Sequence, residues 1–226
     1  MIDVAIVDYG MGNLRSVSKA LEHVAPGVTV AVTSDPDVIA KAGRVVFPGV
    51  GAMPDCIREL DARGLREALL EAARTKPFLG ICLGMQALFE HSEEGNAAGL
   101  GILPGRVLRF PAEAMVGAKG EKLKVPHIGW NEVHQAHPHP LWAGIADASR
   151  FYFVHSYYVE AGSPELVAGF TLYPFPFTSA VARDNIFAVQ FHPEKSQAAG
   201  LALLGNFVLW DGALDSSCQT AASSCA

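Results

Sequence analysis

The sequence lacks a cysteine framework and an excess of positive charge. Its four cysteines are widely spaced or lie near the C-terminus, and none forms a C-x-x-C pair: they are Cys56, Cys82, Cys218 and Cys225. A disulfide-stapled fold is therefore not expected in a chain of this length, and the cysteine usage predicts a reducing, cytoplasmic location. The formal net charge of −6 disfavours nucleic-acid binding through phosphate contacts.

Segments that target or cross a membrane are not predicted from the sequence. No apolar run approaches the roughly 20 residues that a membrane-spanning helix needs. The first ten residues, MIDVAIVDYG, carry no basic flank and include an acidic residue within their apolar stretch. They are therefore predicted to form a first strand rather than a signal peptide, and no membrane partner is expected.

The length and composition suit one folded domain. Half of the 226 residues are hydrophobic, which is enough to bury the core of a single α/β domain. We assign residues 1–210 to this domain, because no repeat or linker divides them. Residues 211–226 are small and polar, and we predict that they form a disordered tail. Cys218 and Cys225 lie in that tail and are poor candidates for catalysis, since a reactive cysteine needs a shaped, electropositive site.

The first half of the chain alternates short apolar runs with segments of helical periodicity. Strands are predicted at Ile2–Asp8, Val28–Thr33, Arg44–Phe47 and Pro77–Cys82. A helix is predicted to open at Met85–His91. From residue 106 to residue 188 the strands are shorter and more antiparallel in character, and Gln197–Trp210 returns to a helix. This order predicts an α/β fold: an open mixed, mostly parallel sheet with helices on both faces.

A nucleophile motif follows the fourth predicted strand. Gly80-Ile81-Cys82-Leu83-Gly84 has the G-x-nucleophile-x-G form of a strand-to-helix elbow, with cysteine in the nucleophile position. Such an elbow holds the nucleophile in a strained backbone conformation and places its sulfur at a helix N-terminus, where the dipole and free amides stabilise a thiolate. The Leu83 amide is then a natural oxyanion donor. The alternative is a buried structural cysteine at a strand end.

A nucleophilic cysteine needs a base, and His192 is the strongest candidate among the eight histidines. It follows the apolar run Ile186–Phe191 and precedes Pro193 and Glu194. An extended segment would direct His192 and Glu194 the same way, so that the carboxylate could hold the imidazole tautomer. Local sequence also permits a simpler arrangement, in which His192 ends a strand and Glu194 is a surface residue.

The two motifs together, GICLGMQ at 80–86 and QFHPEKS at 190–196, resemble those of the class I (triad) glutamine amidotransferases. The resemblance extends from Met1 to about Trp210. It implies an open α/β sheet, with Cys82 as nucleophile, His192 as general base and acid, and Glu194 as the residue that orients it.

Four further segments resemble the glutaminase subunits of imidazole glycerol phosphate synthase: DYGMGN at 8–13, FPGVGA at 47–52, HIGWN at 127–131 and YFVHSYY at 152–158. This resemblance implies hydrolysis of glutamine to glutamate and ammonia. It also implies a heterodimer with a (β/α)₈-barrel cyclase, which uses the ammonia to make imidazole glycerol phosphate and an aminoimidazole carboxamide ribotide in histidine biosynthesis. No cofactor and no metal are implied.

The loop Pro48-Gly49-Val50-Gly51 resembles the segment that supplies the second oxyanion amide, from Val50 or Gly51. Because β-branched Val50 resists unusual φ values, we hypothesise that its amide is misdirected at rest and rotates when the partner binds. One missing oxyanion donor costs on the order of 10²–10³ in rate. The alternative is an ordinary turn between strand and helix.

The resemblance also implies substrate and interface residues. Those assigned to glutamine binding are Gly49, Gln86, His155, Ser156 and Tyr157. Those assigned to the cyclase interface are Asn13, Trp130 and Lys195. A side-chain amide offers a donor and an acceptor to a zwitterion, although Gln86 could instead be a polar helix-surface residue. Trp130 could likewise belong to the core, as large aromatic residues usually do.

Two weaker patterns and three competing functions remain. The histidines at 134, 137 and 139 lie among prolines without a cysteine or carboxylate at ligand spacing, which disfavours a metal site. Gly10-Met11-Gly12 lacks the full dinucleotide-binding pattern. The competing functions are the glutaminase of another synthase, such as a pyridoxal phosphate synthase, a catalytically silent scaffold, and a free-standing hydrolase of peptides or γ-glutamyl compounds.

Overall fold

A computed structural model describes residues 2–117 and 120–213 of the chain. The strands are β1 (Val4–Val7), β2 (Val30–Thr33), β3 (Arg44–Gly49), β4 (Phe78–Cys82), β5 (Phe89–Ser92), β6 (Ala97–Ala98), β7 (Leu103–Arg109), β8 (His127–Gln135), β9 (Ser149–His155), β10 (Tyr157–Ala161), β11 (Val167–Leu172), β12 (Pro176–Arg183) and β13 (Ile186–Val189). The helices are α1 (Leu14–Val24), α2 (Pro36–Lys41), α3 (Met53–Ala62), α4 (Arg66–Thr75), α5 (Leu83–Gln86) and α6 (Gln197–Leu209). None of the helices in these residues has the length and apolar character needed to cross a bilayer.

One half of the sheet is parallel and buried on both faces. Its strands run in the order β2-β1-β3-β4-β13, and every neighbouring pair is parallel. Side chains alternate between the two faces of a strand. Val4 and Ile6 therefore join a core with α1 and α6, whereas Ala5 and Val7 join a core with α2, α3 and α4. This covering by helices explains why β1, β4 and β13 are apolar throughout.

The other half of the sheet is largely antiparallel. Strand β13 pairs with β12, which pairs with β10 and β11, and β11 leads to β8 and β9. This extension positions the end of β9 and the start of β10 beside the end of β4. The predicted fold class, an open mixed sheet with helices on both faces, is confirmed.

The predicted helix at Met85–His91 is wrong. Helix α5 is a single turn that ends at Gln86, and the chain then enters β5, which pairs with β6 and β7. Phe89 lies opposite Leu103 in the parallel pairing of β5 with β7. The local sequence is compatible with a helix, but pairing with a distant strand overrides weak local propensity.

The predicted tail is only partly within the described residues. Trp210 donates from Nε1 to the carbonyl oxygen of Ala213 at 2.7 Å, which holds the chain against the domain to that point. The predicted disorder of the residues that follow, and with it Cys218 and Cys225, lies outside the described residues.

Close backbone packing fixes the elbow between β4 and α5. A Cβ atom added at Gly84 would lie against the carbonyl oxygen of Phe47 in β3, which has no freedom to move aside. Gly205 in α6 has open space by comparison, since the nearest atom to an added Cβ is Val24 Cβ at 3.8 Å. The second glycine of the motif therefore allows α5 to pack directly on β3.

We expect Gly84→Ala to lower the free energy of unfolding by about 1–3 kcal/mol, because the added methyl group overpacks a rigid backbone contact. Gly205→Ala is the matched control, and it should be neutral or stabilise by up to about 1 kcal/mol, since alanine is the better helix former. Urea unfolding of both variants measures the difference. Equal stabilities would show that the Gly84–Phe47 contact is not limiting.

Candidate active site

Cys82 ends β4 in a strained backbone conformation. Its φ and ψ are 55° and −111°, a left-handed φ that a non-glycine residue rarely adopts. The predicted strained elbow is therefore present, and it directs the side chain out of the plane of the strand. In a parallel sheet, ligands bind at the carboxyl ends of the strands. Cys82 lies at that edge, opposite Gly49 of β3.

The helix that follows Cys82 differs from the expected one. Helix α5 contains four residues, so few peptide dipoles add along its axis. The stabilisation of a thiolate by a long helix dipole is therefore not available here. The N–H groups of the first turn, including that of Leu83, remain free of intrahelical acceptors because of their position in the helix.

His192 and Glu194 are brought together by a 3₁₀ turn over Pro193–Lys195. His192 Nδ1 and Glu194 Oε1 are 2.8 Å apart, and their side chains are 2% and 0% exposed. The expected alternation of an extended segment is not the cause, because the turn itself carries Glu194 under the imidazole. The backbone N–H of His192 donates to the Tyr152 carbonyl oxygen at 2.9 Å, which anchors the turn to β9.

The second ring nitrogen of His192 is directed toward the cysteine. Nε2 is buried and has no hydrogen-bond partner among the described residues. Burial alone would lower the pKa of His192, but the nearby Cys82 side chain and the Glu194 carboxylate outweigh burial and raise it. Cys82 is thus close enough to act on the imidazole. Catalytic hydrogen bonds are often long before substrate binds.

A cavity of about 390 Å³ opens in front of these side chains. Its volume falls in the range of small-molecule sites. Nine of the residues predicted for the site line it: Val50, Gly51, Cys82, Leu83, Gln86, His155, Ser156, Tyr157 and His192. Glu194 and Gly49 do not line it. Glu194 lies behind His192, and the space above Gly49 is filled by Tyr9 Oη and Leu83.

Gln86 is 5% exposed, which rules out a role as a helix-surface residue. Its Nε2 donates to the Tyr157 carbonyl oxygen at 3.1 Å and to Gln190 Oε1 at 2.9 Å. Both N–H groups of the amide are thereby used within the protein. The expectation that Gln86 offers a donor and an acceptor to a ligand is wrong, because only Oε1 remains available, as an acceptor.

The Tyr157 carbonyl also fixes a pair of histidines. His155 Nδ1 lies 2.7 Å from this oxygen, His155 Nε2 lies 2.9 Å from His127 Nδ1, and His127 Nε2 lies 3.3 Å from Asn131 Nδ2. A carbonyl only accepts, so His155 carries its proton on Nδ1 and His127 carries its own on Nδ1. Both imidazoles are neutral: burial lowers the pKa of His155 to about 3 and that of His127 to about 4.

The structure adds residues that the sequence did not single out. Glu94 brings a carboxylate to the cavity wall, with Pro126 and Val154 beside it. No motif identifies Glu94, because its position depends on the hydrogen bond that Met53 N–H donates to its Oε2 at 2.8 Å. Gln190 lies within the QFHPEKS segment at 190–196, yet nothing local indicated that its Nε2 lies 3.6 Å from Cys82 Sγ.

The three residues predicted for an interface surround the back of this site. Asn13 donates from Nδ2 to Glu194 Oε1 at 3.2 Å. Trp130 is 38% exposed, so it is not a core residue, and its ring centroid is 6.2 Å from that of Tyr152. Lys195 Nζ lies 5.9 Å from the centroid of the same Tyr152 ring. The role of all three in binding a partner stays a prediction.

The histidine-rich segment serves packing instead of forming a cluster. His134 stacks on Phe170 at a centroid distance of 5.1 Å, whereas His139 is buried against Phe187 and Trp210. In residues 2–117 and 120–213, no group of three or more potential ligands is arranged to hold a metal ion.

The buried histidine pair predicts a pH-dependent stability. The pKa of His127 is about 4 in the folded protein, against an ordinary value of 6.5. Unfolding therefore takes up protons below about pH 6.5, and the free energy of unfolding falls as the pH drops toward 4. We expect His127→Gln to reduce this loss. His91→Gln, at an exposed position, is the control and should leave this loss of stability unchanged. Urea unfolding of the wild type and both variants between pH 4 and pH 7 makes the comparison. Parallel curves of unfolding free energy against pH for the three proteins would contradict the prediction.

The sequence matches a known family over most of its length. The family model for class-I glutamine amidotransferases matches residues 5–210. The imidazole glycerol phosphate synthase subunit HisH of Thiobacillus denitrificans is 71% identical over 226 residues, which cover 100% of this chain and 99% of that protein. The protein of the same name from Nitrosospira multiformis is 70% identical over 210 residues, covering 93% of this chain and 99% of that protein. The resemblance indicated by the sequence motifs is confirmed.

Solved structures agree on the fold. A crystal structure of a glutamine amidotransferase matches with a TM-score of 0.66 at 15% identity, over 91% of this chain and 99% of that chain. The structure of PurLQS from Thermotoga maritima matches with a TM-score of 0.65 at 17% identity, over 92% and 98% of the two chains. At such identities the likeness establishes the fold alone, and it agrees with the family model. The chain belongs to the class-I glutamine amidotransferase family.

Proposed function

We propose that this protein is the glutaminase subunit of an imidazole glycerol phosphate synthase, and that it hydrolyses glutamine through Cys82, His192 and Glu194. The observation that carries the proposal is that Cys82 and His192, 110 residues apart in sequence, both line one cavity, with Glu194 bonded to His192 from behind. Two relatives with about 70% identity bear the name of that subunit, which supports the choice of synthase.

The first chemical step is acylation of the cysteine. Cys82 Sγ attacks the side-chain amide carbon of glutamine while His192 Nε2 takes the thiol proton. Glu194, held at 2.8 Å from Nδ1, keeps the imidazole in the tautomer that leaves Nε2 free and then stabilises the imidazolium. The tetrahedral intermediate collapses when His192 returns the proton to the amide nitrogen, which leaves as ammonia.

The second step is hydrolysis of the γ-glutamyl thioester. A water molecule loses a proton to His192 Nε2 and attacks the thioester carbon. The carbon–sulfur bond breaks, glutamate forms, and the proton returns to Cys82 Sγ. Glutamine and water are thereby converted to glutamate and ammonia, with the enzyme restored.

The oxyanion hole is proposed to use the amide of Leu83 and one from the loop after β3. Val50 and Gly51 both line the cavity, and the positive φ of 100° lies at Gly51 rather than at Val50. Because a β-branched residue resists such φ values, we propose that the amide of Val50 points into the hole only after partner binding changes the loop. The glutaminase would then be weak until it is needed.

The proposed partner is a (β/α)₈-barrel cyclase that receives ammonia. Its contact surface would include Asn13, Trp130 and Lys195. The exposed ring of Trp130 is a rigid aromatic of the kind that anchors interfaces. Asn13 supports a link between this surface and catalysis, because its side chain is bonded directly to Glu194.

Glutamate release from glutamine tests the proposal. We expect the isolated protein to be slow and the cyclase with its ligand to stimulate it by about 10²–10³, the size of one oxyanion donor. Cys82→Ala should abolish release in both states, because no nucleophile remains. Coupled enzymatic assay of glutamate gives both rates.

The outcomes of that assay separate the alternatives. Full turnover without the cyclase would sink the loop mechanism at Val50 while keeping the triad. Absence of turnover with and without the cyclase would point to a different synthase partner or to a silent scaffold. Turnover that persists in Cys82→Ala would remove Cys82 from the mechanism.

We further propose that Glu94 recognises the α-ammonium group of glutamine. Its carboxylate lies in the cavity wall, and one oxygen is committed to Met53 N–H. The other oxygen and Gln86 Oε1 are acceptors, which suits a cationic group with three N–H donors. Among the described residues that line this cavity, there is no lysine or arginine.

Glu94→Gln should raise KM for glutamine by about tenfold or more and lower kcat little, because it removes a charge-assisted hydrogen bond made in the ground state. Glutaramate, which is glutamine without the α-amino group, provides the control substrate. Wild type and variant should use glutaramate equally poorly. An equal loss on both substrates would mean that Glu94 acts on the fold of the site instead.

A further inference from the structure

Gln190 is a buried side chain without a role in the mechanism above. It immediately follows β13, it is 0% exposed, and its backbone N–H donates to the Ser179 carbonyl oxygen of β12 at 2.9 Å. A fully buried amide is costly unless its donors and acceptors are used. Its surroundings therefore indicate what it does.

The orientation of the Gln190 amide follows from a backbone carbonyl that it does not touch. Tyr157 O can only accept, so the atom of Gln86 that faces it at 3.1 Å is the amide nitrogen. The same nitrogen lies 2.9 Å from Gln190, so the facing atom of Gln190 is its oxygen, Oε1. The remaining end of Gln190 must then be the NH₂ group.

This NH₂ group lies against the sulfur of the nucleophile. Gln190 Nε2 is 3.6 Å from Cys82 Sγ, within the distance of an N–H···S hydrogen bond. We infer that Gln190 is a further catalytic residue, which donates a hydrogen bond to the Cys82 thiolate and stabilises it alongside His192. The inference rests on Cys82 being the nucleophile proposed above.

The short helix α5 makes this donor valuable. A single turn supplies little dipole to the sulfur. An N–H from Gln190 adds a neutral, preorganised donor in a buried site, where hydrogen bonds to charged groups are strong. Gln190 also leaves the proton-transfer path free, because it carries no titratable proton, and His192 keeps the role of base.

The chain of amides also holds the donor in place. Tyr157 O accepts from His155 as well as from Gln86, so both of its lone pairs are used. A flip of Gln86 would set two oxygens against each other, and a flip of Gln190 would set two NH₂ groups against each other. The amide orientation that directs an N–H of Gln190 at the sulfur is thus the single one in which Tyr157 O, Gln86 and Gln190 all face a complementary donor or acceptor.

Gln190→Met tests the inference, since methionine has a similar volume and no N–H. The readout is the rate of Cys82 alkylation by iodoacetamide as a function of pH, in the isolated protein, together with the ultraviolet absorbance of the thiolate. We expect the midpoint of both curves to rise by about one pH unit, and kcat/KM for glutamine to fall about tenfold, the effect of one hydrogen bond to a charged group.

Ser179→Ala is the matched control. Ser179 is fully buried in β12 beside Gln190, and its hydroxyl has no hydrogen-bond partner among the described residues. The titratable groups around Cys82 in the described residues are His192, Tyr9 and, across the cavity, His155 and Glu94. Neither substitution alters them, so the control should keep the wild-type midpoint.

A measurement on the unaltered protein covers the case in which Gln190→Met fails to fold. The side-chain NH₂ resonances of Gln190 in ¹⁵N-labelled protein should shift in step with ionisation of the thiol, and Cys82→Ala should remove that shift. Unchanged resonances, or an unchanged alkylation midpoint in a folded Gln190→Met, would overturn the inference while leaving the triad in place. A wild-type Cys82 that is inert to alkylation and turnover would overturn the proposed function and the inference together.

Discussion

The left-handed backbone of Cys82 is the constraint from which the site is built. Such a conformation costs on the order of 1–3 kcal/mol, and it persists only where the surroundings determine it fully. Here β4 lies between β3 and β13, with the apolar faces of helices covering both faces of the sheet. The contact of Gly84 with the Phe47 carbonyl then leaves α5 a single path away from the strand. Packing of the parallel core thus offsets the strain at the nucleophile.

The position of β4 in the sheet also explains which residues meet the sulfur. Parallel neighbours end at the same edge, so the segments that leave β3 and β13 converge on Cys82. The first segment supplies the Val50 loop. The second supplies Gln190, followed by His192 and the turn that carries Glu194. The motifs are far apart in sequence because each belongs to a different strand end.

The antiparallel half of the sheet contributes the carbonyl group that fixes the direction of the hydrogen bonds in the site. The junction of β9 with β10 presents the Tyr157 carbonyl, which accepts from Gln86 on one side and from His155 on the other. One oxygen therefore sets the orientation of two amides and the tautomers of two histidines. Behind the site, Asn13 bonds to Glu194 while Trp130 and Lys195 flank Tyr152. A partner bound on that side would lie one side chain away from the orienting carboxylate.

The sequence by itself determined the α/β order and the elbow at Cys82, because those features depend on neighbouring residues or on strong periodicity. It left the pairing of His192 with Glu194 open, and the 3₁₀ turn over Pro193–Lys195 decided it. It misjudged the segment after Gln86, where pairing of β5 with β7 decides between strand and helix. It was silent on Gln190, although the residue stands inside a motif. The polarity of that amide depends on Gln86, which is 104 residues away, and on a carbonyl 71 residues beyond Gln86. Hydrogen-bond direction is a property of the assembled network, so only the tertiary structure could decide it.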